Sequence, residues 1–399
     1  MKFNTQLLHG NAIKRYPDGA TLPPISQVSA FAYETAQDLE KVFNNRAPGY
    51  AYTRISNPVV DSFERRVCEL EGGKGAVACS SGMSAVTLAL LNILEAGDEI
   101  IAGSGLFGGT IDLFGDLKAF GITTRFAKQI TVEEIAPLIT DKTKVVFGEV
   151  IGNPGLDVID LKAVSEFVHS KGIPLIVDST TATPYLVQPI AYGADVVVHS
   201  SSKYINGGGN AISGDNKKYP GFAEYQKYGE FAYVAKLRNG IWRNMGGCLA
   251  PMNAFLNFIG MDTLGLRMDK ICSNALELAK AVDGLNGVTA NYPALENNPY
   301  KPLVESQLNG MGGGILTLRV GSKERAYQLM NHLKYALNAT NIGDARTLVI
   351  HPASTIYIHN TEEQMRDAGV YADTIRVSVG IEDGSDLIED FTSAIKDLD

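Results

Sequence analysis

Between residues 72 and 200, the sequence alternates short apolar runs with segments of helical periodicity. The runs within "TKVVFGEV" and "IPLIVDS" are rich in β-branched residues, and the helical segment "DLKAVSEFVHSKG" separates them. Uninterrupted apolar runs indicate strands that are buried on both faces, with helices making the parallel connections. The pattern therefore predicts an α/β fold with a mainly parallel sheet, whose ligands bind beyond the carboxyl ends of the strands.

The two ends of the chain depart from this rhythm. Residues 1–60 are rich in Pro, Gly, Asn and Tyr and show no strand–helix alternation, which is typical of a functional segment or one that packs against a partner. After residue 250, a long helical segment leads to the strand-like runs "GGGILTLRV" and "TIRVSVG". We predict an N-terminal arm over 1–60, an α/β domain over 61–255 and a smaller C-terminal α+β domain over 256–399.

Composition and charge argue against several classes of function. The net charge of −9 disfavours a nucleic-acid-binding surface, since such surfaces are basic. The N-terminus lacks the apolar segment of a secretory signal, and the longest apolar stretch, "AVTLALLNIL", is too short to cross a bilayer. The four cysteines form no CxxC pair and the six histidines show no metal-ligand spacing, so we expect no metal, no membrane and a reducing cytoplasm.

One glycine motif suggests a dinucleotide site but lacks its second element. Gly103, Gly105 and Gly108 satisfy G-x-G-x-x-G between a predicted strand and a predicted helix. The nicotinamide fingerprint also requires an acidic residue about twenty positions later. That region reads "TTRFAKQI" and has none, and the motif falls late in the α/β series. A nicotinamide cofactor is therefore disfavoured.

Polar residues that follow the predicted strands form a better candidate site. Asp178 ends the run "PLIVD", the residues Ser200, Ser202 and Lys203 follow "ADVVVH", and "SSGM" opens a helix. Each of these can be a simple turn or helix cap when taken alone. Together they offer hydroxyl and N–H donors for a phosphate, a carboxylate for a cationic ring nitrogen and an amine for an aldehyde. This combination points to pyridoxal 5′-phosphate (PLP) as the cofactor.

Several motifs along the chain resemble those of the Cys/Met-metabolism family of PLP enzymes. They recur in the family's order over nearly the whole sequence: "YTRISNP" (52–58), "SSGMSA" (80–85), "FGGT" (107–110), "VDST" (177–180), "VHSSSKYINGGG" (198–209) and "IRVSVGIED" (375–383). The resemblance implies the PLP-transferase fold type I, with a mainly parallel, seven-stranded-type sheet in the large domain. It also implies the N-terminal arm and the smaller C-terminal α+β domain.

The resemblance assigns roles in binding the cofactor. Lys203 matches the Schiff-base lysine, and Asp178 matches the carboxylate that keeps the pyridine nitrogen protonated. The phosphate ligands are the remaining matches: the backbone of Gly82 and Met83 and the hydroxyls of Ser200 and Ser202.

Other matched residues surround the ring, the substrate and the subunit boundary. Phe107 matches the aromatic residue stacked on the ring, Asn153 the asparagine near the ring hydroxyl, and Arg376 the arginine that clamps the substrate carboxylate. Tyr52 and Arg54 match residues that reach the phosphate of a neighbouring subunit's cofactor. The resemblance thus implies a homo-oligomer, namely a homotetramer built from dimers that share active sites.

Departures from the family pattern narrow the reaction. Many members carry a tyrosine at Phe107, and methionine γ-lyases carry a cysteine at Gly109. Phenylalanine cannot donate a proton to a thiolate leaving group, whereas acetate, a weak base, leaves without one. Asn341 stands where lyases and cystathionine synthases usually have serine, and in this the chain resembles the O-acetylhomoserine sulfhydrylases.

The expected reaction is a PLP-dependent γ-replacement, in which O-acetylhomoserine and sulfide (or a thiol) give homocysteine (or methionine) and acetate. Lys203 would move the Cα proton, Asp178 would stabilise the ring, and Arg376 and Asn341 would face the substrate. Two alternatives remain open: a methionine γ-lyase that forms 2-oxobutyrate, ammonia and a thiol, and a cystathionine γ-synthase or lyase. A non-catalytic binding protein with this fold is disfavoured because Lys203, Asp178 and Arg376 are all present.

Overall fold

The computed structural model describes residues 1–10, 16, 19–205, 211–212 and 220–399. The glycines at 207–209, which follow Lys203 in its motif, lie outside the described residues. The strands are β1 (Gly75–Ala76), β2 (Glu99–Gly103), β3 (Thr123–Ala127), β4 (Thr143–Glu149), β5 (Leu175–Asp178), β6 (Val196–Val198), β7 (Ala211–Ile212), β8 (Thr289–Asn291), β9 (Ile315–Arg319), β10 (Leu337–Asn338), β11 (Leu348–Ile350) and β12 (Thr374–Ser378).

The α-helices of these ranges alternate with the strands through most of the chain. They are α1 (Phe3–His9), α2 (Ala36–Phe43), α3 (Pro58–Glu71), α4 (Gly82–Leu91), α5 (Gly108–Asp116), α6 (Val132–Ile135), α7 (Leu161–Ser170), α8 (Thr183–Leu186), α9 (Ala232–Asn239), α10 (Ile241–Met245), α11 (Pro251–Met261), α12 (Leu264–Val282), α13 (Lys301–Gln307), α14 (Lys323–His332), α15 (Glu362–Asp367) and α16 (Gly384–Lys396). Within the described ranges, no helix is both long enough and apolar enough to cross a bilayer.

The chain folds into two compact units, each built from two stretches of sequence. The first unit comprises Met1–Leu94 and Asp195–Thr263, and the second comprises Glu95–Ala194 and Leu264–Asp399. The domain bounds expected at residues 60 and 255 stay a prediction.

The second unit contains parallel strands in the order β3-β2-β4-β5. Every residue of β2 is buried, as expected for a strand covered on both faces. Between β4 and β5, helix α7 buries Leu161, Val164 and Val168 on one face and packs against β5. The register places Glu149, the last residue of β4, beside Asp178, the last residue of β5. Two carboxyl groups therefore lie side by side at the carboxyl edge of this sheet.

The same unit holds a second sheet with the strand order β10-β11-β12-β9-β8. Its pairs are antiparallel except β10 with β11, and helices α13 to α16 fall between or after its strands. This is the α+β arrangement expected for the C-terminal part of the chain. Arg376 lies in the central strand β12, opposite Ile350 of β11 and Thr317 of β9.

The first unit contains the strands β1, β6 and β7. β1 pairs with β7 in an antiparallel ribbon, and β6 consists of three buried valines. Among the described residues, β1 and β7 form a two-stranded sheet of their own, apart from the parallel sheet that the resemblance implied to have seven strands. Helix α3 begins after Asn57, whose side chain accepts the N–H of Val59, and it ends at Gly72 with a φ of 68°. It packs against α11.

Candidate active site

The predicted site residues are divided between the two units. The first unit holds Tyr52, Arg54, Gly82, Met83, Ser200, Ser202 and Lys203. The second unit holds Phe107, Asn153, Asp178, Asn341 and Arg376. Several of them end a strand, follow one closely or begin a helix, as the pattern of strand ends predicted.

In the first unit, the start of helix α4 faces Ser200. Ser81 caps the helix, because its hydroxyl accepts the N–H of Ser84 at 3.1 Å. A Cβ atom on Gly82 would lie 2.7 Å from the Cβ of Ser200 and 2.8 Å from its Oγ, so only glycine fits at this position. The Oγ atoms of Ser200 and Ser202 are 3.1 Å apart. Backbone N–H groups of a helix N-terminus and two hydroxyls therefore lie in one small region, which suits a phosphate.

Lys203 lies in the turn that these serines begin. Its backbone N–H donates to the carbonyl of Ser200 at 3.0 Å, and its side chain is half-buried. Neighbouring residues Ser201, Tyr204 and Ile205 are buried, which anchors the other side of the turn. The lysine is thus held within one turn of the candidate phosphate ligands.

A buried pair lies directly behind this turn. Nε2 of His199 lies 2.5 Å from Oε1 of Glu71, and neither side chain is exposed to solvent. His199 follows β6 and precedes Ser200, while Glu71 is the last residue of α3. The pair therefore joins the end of a helix to the start of the serine–lysine turn, and it restrains where that turn lies.

Tyr52 and Arg54 lie at the surface of the first unit. Tyr52 is 43% exposed, and the guanidinium carbon of Arg54 lies 5.6 Å from the centre of the Tyr52 ring. Nη1 of Arg54 donates to the carbonyl of Arg243 at 2.7 Å. The structure therefore brings these two residues together in an exposed position.

In the second unit, Glu149 and Asp178 form a pair of carboxyl groups. Oδ1 of Asp178 accepts the N–H of Thr180 at 2.8 Å. Oε1 of Glu149 accepts the N–H of Phe107 at 2.7 Å, and Oε2 accepts the N–H of Asn153 at 3.2 Å. Loss of solvation, reinforced by the negative charge of Asp178, raises the pKa of the Glu149 carboxyl well above its usual range. The two backbone N–H groups that Glu149 accepts act in the opposite direction and favour its charged form.

Phe107 precedes helix α5, and its ring packs on the glycine two residues later. A Cβ atom on Gly109 would lie 2.7 Å from Cε1 of Phe107, so a side chain at 109 requires the ring to move. Phe107 is 40% exposed, which leaves part of the ring accessible to a ligand. The ring offers a flat apolar face and no proton donor.

Arg376 is fixed by two hydrogen bonds although it is only 3% exposed. Its Nη1 donates to Oδ1 of Asn153 at 3.3 Å, and its Nη2 donates to the backbone carbonyl of Asn341 at 3.0 Å. These two acceptors orient the plane of the guanidinium. Asn341 contributes through its main chain in this contact.

The residues of both units fit pyridoxal phosphate. The first unit provides a cradle that a Cβ on Gly82 would fill, with two hydroxyls beside it and a lysine in the same turn. The second provides a carboxylate at a strand end and an accessible aromatic face. These donors match the needs of a phosphate, an aldehyde, a protonated ring nitrogen and an aromatic ring, in that order.

Two functional candidates, Glu149 and the Glu71–His199 pair, were missed by sequence reasoning. Glu149 follows an apolar run just as Asp178 does, so the same pattern could have found it. Glu71 and His199 are separated by 128 positions, and no local pattern links them.

Comparison with known proteins identifies what the chain resembles. Residues 4–396 match the family of Cys/Met metabolism PLP-dependent enzymes. The chain is 37% identical to a homocysteine synthase of Schizosaccharomyces pombe, over 99% of this chain and 98% of that protein. It is 35% identical to an O-acetyl-L-homoserine sulfhydrylase of Leptospira meyeri, over 100% of this chain and 97% of that protein.

A solved structure gives the corresponding similarity in three dimensions. A Campylobacter jejuni protein described as an O-acetylhomoserine (thiol)-lyase superposes with a TM-score of 0.93 at 31% identity, covering 99% of this chain and 100% of that one. That structure carries an N′-pyridoxyl-lysine-5′-monophosphate residue. The expected fold class and the dependence on pyridoxal phosphate are thereby confirmed.

Proposed function

The chain belongs to the Cys/Met metabolism PLP-dependent enzymes, and we propose that it catalyses γ-replacement on O-acetylhomoserine. The Cγ–O bond to the acetyl group breaks and acetate leaves, while the Cγ–S bond to sulfide forms and gives homocysteine. A thiol in place of sulfide gives the thioether, methionine in the case of methanethiol. The observation that carries the proposal is full-length similarity to proteins named homocysteine synthase and O-acetyl-L-homoserine sulfhydrylase.

Phe107 and Gly109 support replacement over elimination from methionine. The ring at 107 has no hydroxyl, so it cannot protonate a departing thiolate, and its contact with Gly109 leaves no room for a side chain there. Acetate is a weak base and needs no such acid. Phe107 and Gly109 thus suit a carboxylate leaving group better than a thiolate.

Lys203 moves the proton in the proposed reaction. Pyridoxal phosphate, when bound, supplies an aldehyde for the substrate amine and a ring that withdraws electrons from Cα. Lys203 holds that aldehyde through Nζ before substrate arrives, and afterwards accepts the Cα proton at Nζ. Its backbone N–H donates to the carbonyl of Ser200, one of the candidate phosphate ligands.

The second unit supplies the charges. Asp178 is assigned to the protonated ring nitrogen, and Glu149 lies beside it at the same edge of the sheet. Arg376, oriented by Asn153 and Asn341, is assigned to the carboxylate of the amino-acid substrate. Phe107 is assigned to cover the ring.

The test compares two reactions of the purified, PLP-loaded protein. We expect homocysteine and acetate to form from O-acetylhomoserine and sulfide faster than 2-oxobutyrate forms from methionine alone. Replacing sulfide by cysteine measures cystathionine formation, which we expect to be slower. Faster 2-oxobutyrate release from methionine would contradict the proposal and favour a γ-lyase, and faster cystathionine formation would favour a cystathionine γ-synthase.

We further propose that the protein is a homo-oligomer, namely a homotetramer built from dimers. In it, Tyr52 and Arg54 would contact the phosphate of a neighbouring subunit's cofactor. Their exposure supports this role, because the contacts of Arg54 with described residues, an aromatic ring and a carbonyl, are both uncharged and leave its charge for a phosphate. The expected cytoplasmic location also stays a prediction.

Subunit complementation tests the shared site. Arg54→Ala and Lys203→Ala proteins are each expected to be inactive, and their hybrids to regain part of the wild-type activity. Absence of activity in hybrids confirmed by mass would contradict a shared site.

A further inference from the structure

Glu149 connects three groups that the proposed reaction uses. It ends β4 beside Asp178, and its two oxygens accept the N–H groups of Phe107 and Asn153. We propose that Glu149 is a positioning residue that sets the place of Phe107 and, through Asn153, the orientation of the substrate-binding Arg376. This inference rests on the proposed function, because it takes Arg376 as the clamp for the substrate carboxylate.

Glu149 uses both of its carboxyl oxygens as hydrogen-bond acceptors. Both terminal atoms of Glu149 are oxygens, and each receives a backbone N–H. A glutamine has the same size but one oxygen and one NH2 group, and the NH2 group cannot accept a hydrogen bond. Glu149→Gln must therefore lose one of the two contacts and place a donor against a donor.

Asn153 links Glu149 to the guanidinium of Arg376. Glu149 fixes the backbone of Asn153, and Oδ1 of the same Asn153 accepts Nη1 of Arg376. The main chain of Arg376 is held in the centre of a sheet, so only its side chain can respond to a shift of Asn153. A displaced Asn153 thus changes how Arg376 presents its two donors to a carboxylate.

The backbone of Phe107 is also held by Glu149. This residue caps α5 with no side-chain hydrogen bond of its own, and 40% of it is exposed. Its N–H finds an acceptor in Glu149, from a different strand. The carboxyl group therefore fixes the point where the ring leaves the backbone, and with it the position of the ring over Gly109.

Asp157 offers a matched control in the same region. Glu149 and Asp157 line the same cavity, which has about 30 Å³ of space for water and is also lined by Gln129 and Tyr300. Burial raises the pKa of Asp157 too, but its Oδ1 faces Gly152 and Gly155. Asp157→Asn therefore removes an ionisable group of similar environment from the same cavity while leaving the two N–H contacts of Glu149 in place.

The experiment measures equilibrium binding to the PLP-loaded protein, followed by the absorbance of the cofactor. Homoserine, which has no acetyl leaving group, carries the carboxylate, and homoserine amide lacks it. We expect Glu149→Gln to weaken homoserine binding about 10-fold, since a displaced charged hydrogen bond has an effect of this order. Binding of the amide is expected to change less than about twofold, as is binding of either ligand to Asp157→Asn.

A double-mutant cycle checks the route through Asn153. If Glu149 acts through it, Asn153→Ala and Glu149→Gln weaken homoserine binding by less together than the product of their separate effects. Fully multiplicative effects would overturn this route. Thermal unfolding of the apo-proteins verifies that each variant folds, and Glu149→Asp, too short to span both N–H groups, replaces Glu149→Gln if the latter does not fold.

The outcomes separate this inference from the proposed function. A wild-type protein that binds homoserine no better than its amide would overturn the clamp role of Arg376, and the inference with it. The inference alone would be overturned if the wild type prefers homoserine to its amide but Glu149→Gln binds homoserine as tightly as the wild type does. It would also be overturned if Asp157→Asn weakens homoserine binding as much as Glu149→Gln does. A discriminating wild type that forms no homocysteine would overturn the proposed reaction and leave the binding comparison in force.

Discussion

The serine–lysine turn of the first unit and the carboxylate edge of the second solve the placement of polar groups in different ways. Around the turn, the ligand-facing groups are backbone N–H groups and hydroxyls, fitted closely by Gly82 and restrained from behind by one fully buried pair. At the carboxylate edge, charged groups are tied to one another through hydrogen bonds that pass from Glu149 to Asn153 to Arg376. Shape controls the first region and a polar network controls the second, so substitutions should act locally in one and spread in the other.

Lys203→Ala should have the largest effect, because the turn then keeps its shape but loses its reactive group. We expect homocysteine formation to fall by about 10³-fold or more and the visible absorbance of the lysine-bound cofactor to disappear. Lys171→Ala, at the exposed end of α7, is the control and should retain activity and colour. Retained activity in Lys203→Ala would remove the functional basis of the comparison.

Glu71→Ala tests whether the turn depends on the buried pair behind it. The substitution removes the carboxylate that contacts Nε2 of a fully buried imidazole, and we expect the free energy of unfolding to fall by about 3 kcal/mol, measured by urea denaturation. Glu71→Gln keeps a hydrogen-bonding group of the same size and should recover part of the loss. Equal stability of Glu71→Ala and the wild type would show that the turn is held by packing alone.

Arg376→Lys tests the carboxylate edge. Lysine cannot donate to Asn153, Asn341 and a carboxylate in the planar arrangement of a guanidinium, so we expect the KM for O-acetylhomoserine to rise about 30-fold with a smaller change in kcat. Arg319→Lys, on the neighbouring strand β9 and paired with Asp373, is the control and should leave KM within about twofold. A KM that rises equally in both variants would contradict the special role of Arg376.

Gly82→Ala should affect both the stability of the turn region and the binding of the cofactor. The new Cβ must displace Ser200, and we expect a loss of about 1–3 kcal/mol in stability together with weaker PLP binding, measured by titration of the apo-protein. Gly115→Ala in α5 has open space around it and should be neutral or slightly stabilising. Unchanged PLP affinity in Gly82→Ala would mean that the cradle is wider than its contacts indicate.

Sequence reasoning found the residues whose position along the chain reveals their role. Asp178 and Lys203 follow predicted strands, and the structure has Asp178 at the end of β5 and Lys203 shortly after β6. Family motifs then added Asn153 and Arg376, which no strand-end pattern would have joined across 223 positions.

The remaining features depend on contacts distant in sequence or on the main chain. Glu149 was overlooked because Val150 continues the apolar run, which disguises the end of the strand. The pairing of Glu71 with His199 follows from how α3 and β6 lie in the first unit, which composition does not determine. Asn341 was expected to face the substrate, which stays a prediction, and the contact of its carbonyl with Arg376 is a main-chain contact that its residue type does not reveal.

The contact between Phe107 and Gly109 has a consequence for how such enzymes can diverge. A cysteine introduced at 109 alone meets the phenyl ring, since its Cβ would lie 2.7 Å from Cε1. The two positions are therefore epistatic: a change at 109 becomes acceptable only after the ring at 107 has turned or been replaced. A mutational path from acetate release to thiolate release in this chain therefore has to change the position of the ring at 107 as well as the residue at 109.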